Sequence, residues 1–127
     1  MKVLNPSGNT RSENRMQLSL RRIILFTKNM PAMVAFYRDV LGLHFQKDEP
    51  GWKEFDANRC VIALHNGTSR VGARPPKIAF WARDIEEARE TLIARGAKVG
   101  KMLSGGGLLR CEGKDPDGNP FSVSNRE

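Results

Sequence analysis

Hydrophobic and polar residues alternate with period two over LSLRRIILFTK, residues 18–28. Ile23, Leu25 and Thr27 fall on one side; Arg22, Ile24 and Phe26 fall on the other. That pattern predicts a half-buried strand. The period then lengthens. From Asn29, a candidate N-cap, Met33, Phe36, Tyr37, Val40 and Leu41 recur at the three-and-four spacing of a helical stripe, with Pro31 tolerated in the first turn and Gly42 ending it. LHFQKDE, WKEFDA and RCVIALHN follow, separated by Pro50-Gly51 and Asn58-Arg59. Their β-branched and aromatic residues between turn formers predict one strand and then a hairpin of two more.

RVGARPP, residues 70–76, interrupts this order, because neither a helix nor a central strand accepts its two prolines. The order then returns. KIAFWARD predicts a strand with Ile78, Phe80 and Ala82 on one face and Lys77, Ala79 and Trp81 on the other. Asp84 and Glu87 read as a capping box, Ile85, Ala88, Leu92 and Ile93 as a buried stripe, and Gly96 as a stop. KVGKMLS, GLLRCEGK and FSVSN predict three further strands, with the glycines at 105–107 at one turn and DPDGN at another. In FSVSN, Phe121 and Val123 share one face while Ser122 and Ser124 share the other.

The chain thus reads as an α+β fold of two βαβββ modules, at 17–69 and 77–127, joined by the linker 70–76 into one structural domain. An internal repeat of this kind outweighs any local motif in fixing the architecture. Curved mixed sheets, each with a helix on its outer face, are expected to enclose a cup-shaped cleft. Its side carries Arg22, Ile24, Phe26, Val61, Ala63, His65, Lys77, Ala79, Trp81, Ser122 and Ser124.

Composition narrows the function. With 127 residues, 39% hydrophobic and 28% charged, the chain has the balance of a globular protein that buries a core without staples. No apolar run reaches spanning length and no signal-peptide core is readable, so the expected home is the cytoplasm, with no membrane partner. Cys60 and Cys111 have no partners at metal-ligand spacing and read as buried small hydrophobes. The net charge of +7 is concentrated partly in the leading stretch, where Lys2, Arg11, Arg15, Arg21 and Arg22 face only Glu13. Residues 1–16 lack hydrophobic periodicity and are expected to form a disordered basic tail, with Met16 as an alternative start. Nucleic acid is not an expected partner, since helix-turn-helix, aromatic RNA-binding and zinc-finger signatures are all missing. Nor do the glycines form a phosphate loop.

IILFTKNMPAMVAFYRDVLGL, the parallel phrase IAFWARDIEEARETLIARGA, and DPDGNPFSV resemble the glyoxalase, bleomycin-resistance and extradiol dioxygenase superfamily, the vicinal oxygen chelate proteins. The resemblance runs from about Leu18 to Ser124 and implies paired modules, commonly a homodimer. Metal-dependent members hold a divalent ion with side chains of the first and last strands of each module. Carried over by position, those sites fall at Arg22 and Lys77, where histidine or glutamine is usual, and at Ala63 and Ser122, where glutamate is usual. Two cations, a methyl group and a hydroxyl make a poor set for a divalent ion.

The resemblance therefore implies a metal-independent protein without a cofactor, which binds or sequesters a small molecule. Arg22 and Lys77 favour an anionic ligand, while Phe26 and Trp81 offer an apolar wall to an aromatic one. Arg22, Phe26, Ala63, His65, Lys77, Trp81 and Ser122 are the candidate ligand-binding residues. Three alternatives stand beside these roles. Glu54 or Asp56 neutralises the two cations on a neighbouring strand; His65 with Glu54 or Glu112 serves as a displaced ligand set in a metal-dependent lyase, isomerase or dioxygenase-like enzyme; or the chain is an interaction module whose basic tail meets an acidic partner. No catalytic residue is assigned.

Overall fold

A computed structural model describes residues 18–68 and 70–127. The basic tail expected at 1–16 lies outside the described residues. Strand β1 (Arg22–Thr27) leads into helix α1 (Met30–Ala35), and strands β2 (His44–Glu49), β3 (Trp52–Asp56) and β4 (Val61–Asn66) complete the first unit. The second unit runs β5 (Ile78–Trp81), α2 (Ile85–Ala94), β6 (Leu103–Gly105), β7 (Leu108–Lys114) and β8 (Pro120–Ser124). Each unit forms one four-stranded mixed sheet, with orders β1-β4-β3-β2 and β5-β8-β7-β6. In both, the first and last strands pair in parallel and the other pairs are antiparallel. The parallel pairing follows from the helix, which carries the chain from one edge before it returns beside its starting strand.

The helices start and stop for different reasons. Asp84 Oδ1 accepts from the Glu87 amide at 3.0 Å, as a capping residue should. Asn29 makes no such cap; instead its own amide donates to Thr27 Oγ1 at 2.8 Å. After Ala35 the first helix widens into a π turn, Phe36–Val40, closed by Leu41 N to Phe36 O at 2.9 Å. Both Phe36 and Tyr37 are buried there. Strand lengths also depart from the sequence pattern. The segment around KVGKMLS contributes only Leu103–Gly105 and an isolated bridge from Val99 to Gly113, and Cys60 lies ahead of β4.

Period two sets the core as predicted. Leu25, Ile62, Leu64 and Phe55 in the first sheet, and Ile78, Phe80, Cys111, Phe121 and Val123 in the second, pack with Met33, Phe36, Tyr37, Ile85 and Leu92 of the helical segments. Burying each large apolar side chain contributes roughly 1.5–3 kcal/mol. The core crosses between the units, since the Phe36 ring lies 5.8 Å from that of Phe121. The opposite face of each sheet is exposed along its edge strand, while Ala63, Glu54 and Ser122 at its middle are buried. Ile24, Phe26 and Trp81, on the edge strands β1 and β5, keep 43%, 49% and 51% of their surface exposed.

Candidate functional site

The two open faces correspond residue by residue. Counted back from Asn29 and Asp84, the residues that precede the helices, Arg22 matches Lys77, Ile24 matches Ala79 and Phe26 matches Trp81. Strand register extends the correspondence: Ala63 matches Ser122, His65 matches Ser124, Trp52 matches Arg110, and Glu54 matches Glu112. Each face therefore carries a cation at the start of its first strand or just ahead of it, an aromatic residue on that strand, a small residue at the middle of its last strand, and a glutamate directly across from that small residue.

On the first face, Phe26, His65 and Trp52 form a row across three strands. The Phe26 and His65 ring centres are 5.3 Å apart, and those of His65 and Trp52 are also 5.3 Å apart in an edge-on arrangement. Gly67 lies so close under Phe26 that a Cβ there would come within 2.8 Å of the ring, which fixes the ring against the strand end. Trp52 also turns its indole N–H to Glu54, donating to Oε2 at 2.7 Å. Gln46 Nε2 approaches the other carboxylate oxygen at 3.4 Å. A bulge in β2 makes this reach available, because the register shift between Phe45 and Lys47 sets two residues opposite Glu54. Glu54 is buried at 6% exposure. The Trp52 hydrogen bond, with smaller contributions from Gln46, Lys47 and Arg22, holds its carboxyl below the ordinary glutamate range against the opposing effect of burial.

On the second face the glutamate is used differently. Lys77 Nζ donates to Glu112 Oε2, and Arg110 Nε stands 3.6 Å from the same oxygen. Lys77, just ahead of β5, reaches Glu112 on β7 past β8, where the small Ser122 leaves the way open. The Lys77 hydrogen bond is the main cause that lowers the Glu112 carboxyl below its usual range. Lys77 is thus neutralised by Glu112 and not by the expected Glu54 or Asp56, whose carboxylates accept from the Trp52 indole and the Asn58 amide.

The sequence-predicted residues thus divide into two groups. Arg22, Phe26, Ala63 and His65 lie on the first open face, and Lys77, Trp81 and Ser122 on the second. Trp52, Gln46 and Arg110 were not among the candidates. Period two from the Pro50-Gly51 turn could have placed Trp52 beside Glu54, but the bulge that recruits Gln46 leaves no mark in the sequence. A groove of about 550 Å³ lies between α2 and the Leu41–Leu43 turn, floored by Phe80, Leu92 and Val123 on the helix side of the second sheet and lined also by Trp81.

The donor chemistry does not suit a divalent metal. Arg22, Ala63, Lys77 and Ser122 occupy the positions at which the family resemblance would place ligands, and the nearby glutamates are bonded to Trp52 and Lys77. Among the described residues, no three histidine, cysteine, aspartate or glutamate side chains gather as a metal-binding group. Among the described residues, no helix is long and apolar enough to cross a membrane.

Comparison with known proteins agrees with the architecture. Lactoylglutathione lyase from Agrobacterium tumefaciens is 24% identical and superposes with a TM-score of 0.68, over 84% of this chain and 92% of that one. A glyoxalase/bleomycin resistance protein/dioxygenase from Nocardioides gives 0.76 at 19% identity, covering 90% and 87%. TnmS3, an antibiotic binding protein from Streptomyces sp. CB03234, gives 0.69 at 19% identity, covering 86% and 97%. These likenesses speak for the fold alone. No curated protein matches the sequence. The family model for the Glyoxalase/Bleomycin resistance protein/Dioxygenase superfamily matches residues 19–123, and by that match, together with the paired βαβββ units, the chain belongs to this superfamily.

Proposed function

We infer that the protein binds or sequesters a small molecule without a metal, on the open faces of its sheets, and that it works as a cytoplasmic homodimer. One observation carries this reading: cations, a methyl group and a hydroxyl stand where a metal set would be, while large aromatic side chains on the same faces remain exposed. Exposed apolar area rimmed by charge is costly in water unless a ligand or a second copy covers it. Arg22, Phe26, Ala63, His65, Lys77, Trp81 and Ser122 are the proposed contact residues, with an aromatic or anionic ligand as the class they suit. Two cysteines without a disulfide fit a reducing compartment.

A thermal-shift screen of acidic and neutral aromatic compounds tests this, with Arg22→Ala and Lys77→Ala as comparisons. Hits that weaken in these variants support the reading. A screen without hits, or hits indifferent to both substitutions, counts against it.

A further inference from the structure

The matching rows of the two open faces differ in one chemically decisive respect. Phe26–His65–Trp52 on the first sheet corresponds to Trp81–Ser124–Arg110 on the second, where an exposed indole, a hydroxyl and a guanidinium replace three rings. We propose that this second row takes an aromatic carboxylate, its ring against Trp81 and its carboxylate on Arg110, with the Ser124 hydroxyl as a further donor. The proposal rests on the reading of the open faces as ligand surfaces and names the class of ligand for one of them.

The three side chains share a face because Trp81 pairs with Ser124 and Ser124 pairs with Arg110. At ordinary strand spacing the row spans about 10 Å between its outer Cα positions. Trp81 is 51% exposed, which leaves indole surface for a flat ring. Ser124 Oγ accepts from the Arg126 amide at 3.3 Å, so its own hydrogen can donate to an incoming oxygen. Arg110 offers a planar fork suited to a carboxylate. Its Nε stands 3.6 Å from Glu112 Oε2, beyond hydrogen-bond length, and that carboxylate is already bonded by Lys77. Two cations facing one glutamate leave the cluster one positive charge in excess, which an acid would balance.

The first sheet lacks this complement. Its row has no arginine: Arg22 stands four residues from Phe26 along β1 and acts on the buried Glu54 carboxylate, so an aromatic acid is matched less well there than on the second face.

The test is calorimetric titration of the whole chain with 2-naphthoate and with its uncharged counterpart 2-naphthalenemethanol. Naphthoate is expected to bind about tenfold or more tightly than the alcohol, the usual worth of a hydrogen bond to a charged group. Arg110→Gln should erase that preference, and Arg110→Lys should keep part of it. Trp81→Ala should weaken both probes, and by more than Phe26→Ala at the matching position of the first sheet. Trp81 and Arg110 are half exposed, so melting temperatures should stay close to that of the parent and separate lost contacts from lost fold. Equal affinity for the two probes, with Trp81→Ala still weakening both, overturns the acid class and keeps the face as an aromatic site. Loss of both probes in Phe26→Ala but not in Trp81→Ala moves the ligand to the first sheet and overturns the proposal. Absence of binding by either probe at millimolar concentration overturns it together with the ligand-face reading of this sheet.

Discussion

The Tyr37 hydroxyl donates to Asp115 Oδ2 at 2.8 Å, joining the first helical segment to the turn that precedes the last strand. Asp115 is buried and also accepts from the Asn119 side chain at 2.8 Å and from the amides of Asp117 and Asn119, each at 2.9 Å. FYRDVLGL and DPDGN, far apart in the chain, therefore meet through one buried hydrogen bond. Tyr37→Phe should cost about 1.5–3 kcal/mol near neutral pH, the range for a hydrogen bond to a charged group. Burial, reinforced by the adjacent Asp115, pushes the Tyr37 phenol well above its ordinary value. Its stabilising effect is then complete below the unfolded tyrosine value of about 10 and declines as the pH rises beyond it, because the unfolded chain releases the proton first. Urea unfolding of parent and variant from pH 7 to pH 11 should show their stabilities converging at the alkaline end; a constant gap would mean that Tyr37 contributes only packing.

Glu54 predicts the opposite limb of the stability curve. Its carboxyl is lowered in the folded protein, principally by the Trp52 indole, and Glu112 is lowered principally by Lys77. Their contribution is present above the unfolded glutamate value of about 4.3 and is lost as the pH falls through their folded values. Glu54→Gln keeps an oxygen for Trp52 but removes the titration. The variant should be less stable than the parent at pH 7 and lose less on acidification to pH 3, as read from urea midpoints at both pH values.

Much of this fold was legible because its governing patterns are local. Period two correctly separated Ile23, Leu25 and Thr27 from Arg22, Ile24 and Phe26, and the same order of elements returned after Pro75-Pro76. The candidate faces were legible to the extent that they depend on strand parity. What stayed hidden depends on register and reach: the bulge that brings Gln46 beside Glu54, the Tyr37–Asp115 link, and Lys77 passing Ser122 to Glu112. The same applies to Asn29, whose residue type suggests a cap while the local geometry gives the hydrogen bond to Thr27.

Gly113 marks a close approach that sequence alone presents as an ordinary strand residue. A Cβ there would stand 2.8 and 3.0 Å from two atoms of the Phe121 ring and 3.1 Å from the backbone oxygen of Lys98. Phe121 is core and has little room to yield. Gly113→Ala should therefore destabilise by about 1–3 kcal/mol, the ordinary cost of overpacking. Gly72→Ala is the comparison, since nothing lies within 4 Å of its added carbon; it should remain within about 0.5 kcal/mol of the parent. Thermal or urea unfolding of the pair distinguishes local crowding from a general cost of removing glycine.

Metal titration bears on the proposed chemistry through stability. A divalent ion that binds the folded protein raises its stability by mass action, about 2.7 kcal/mol at a hundred times the dissociation constant. Zinc, manganese, nickel and iron(II), added separately to metal-stripped protein, are expected to leave the melting temperature unchanged, because the matched positions present Arg22, Ala63, Lys77 and Ser122. Lys77→Ala provides a more demanding case. It releases Glu112 from its ammonium partner but leaves that carboxylate beside Arg110 and opposite a serine, and one carboxylate with a hydroxyl is a weak set for these ions. This variant should also show no metal-dependent shift. Stoichiometric stabilisation of the parent by one metal would contradict the metal-independent reading, and stabilisation confined to Lys77→Ala would identify the Lys77–Glu112 pair as the feature that excludes it.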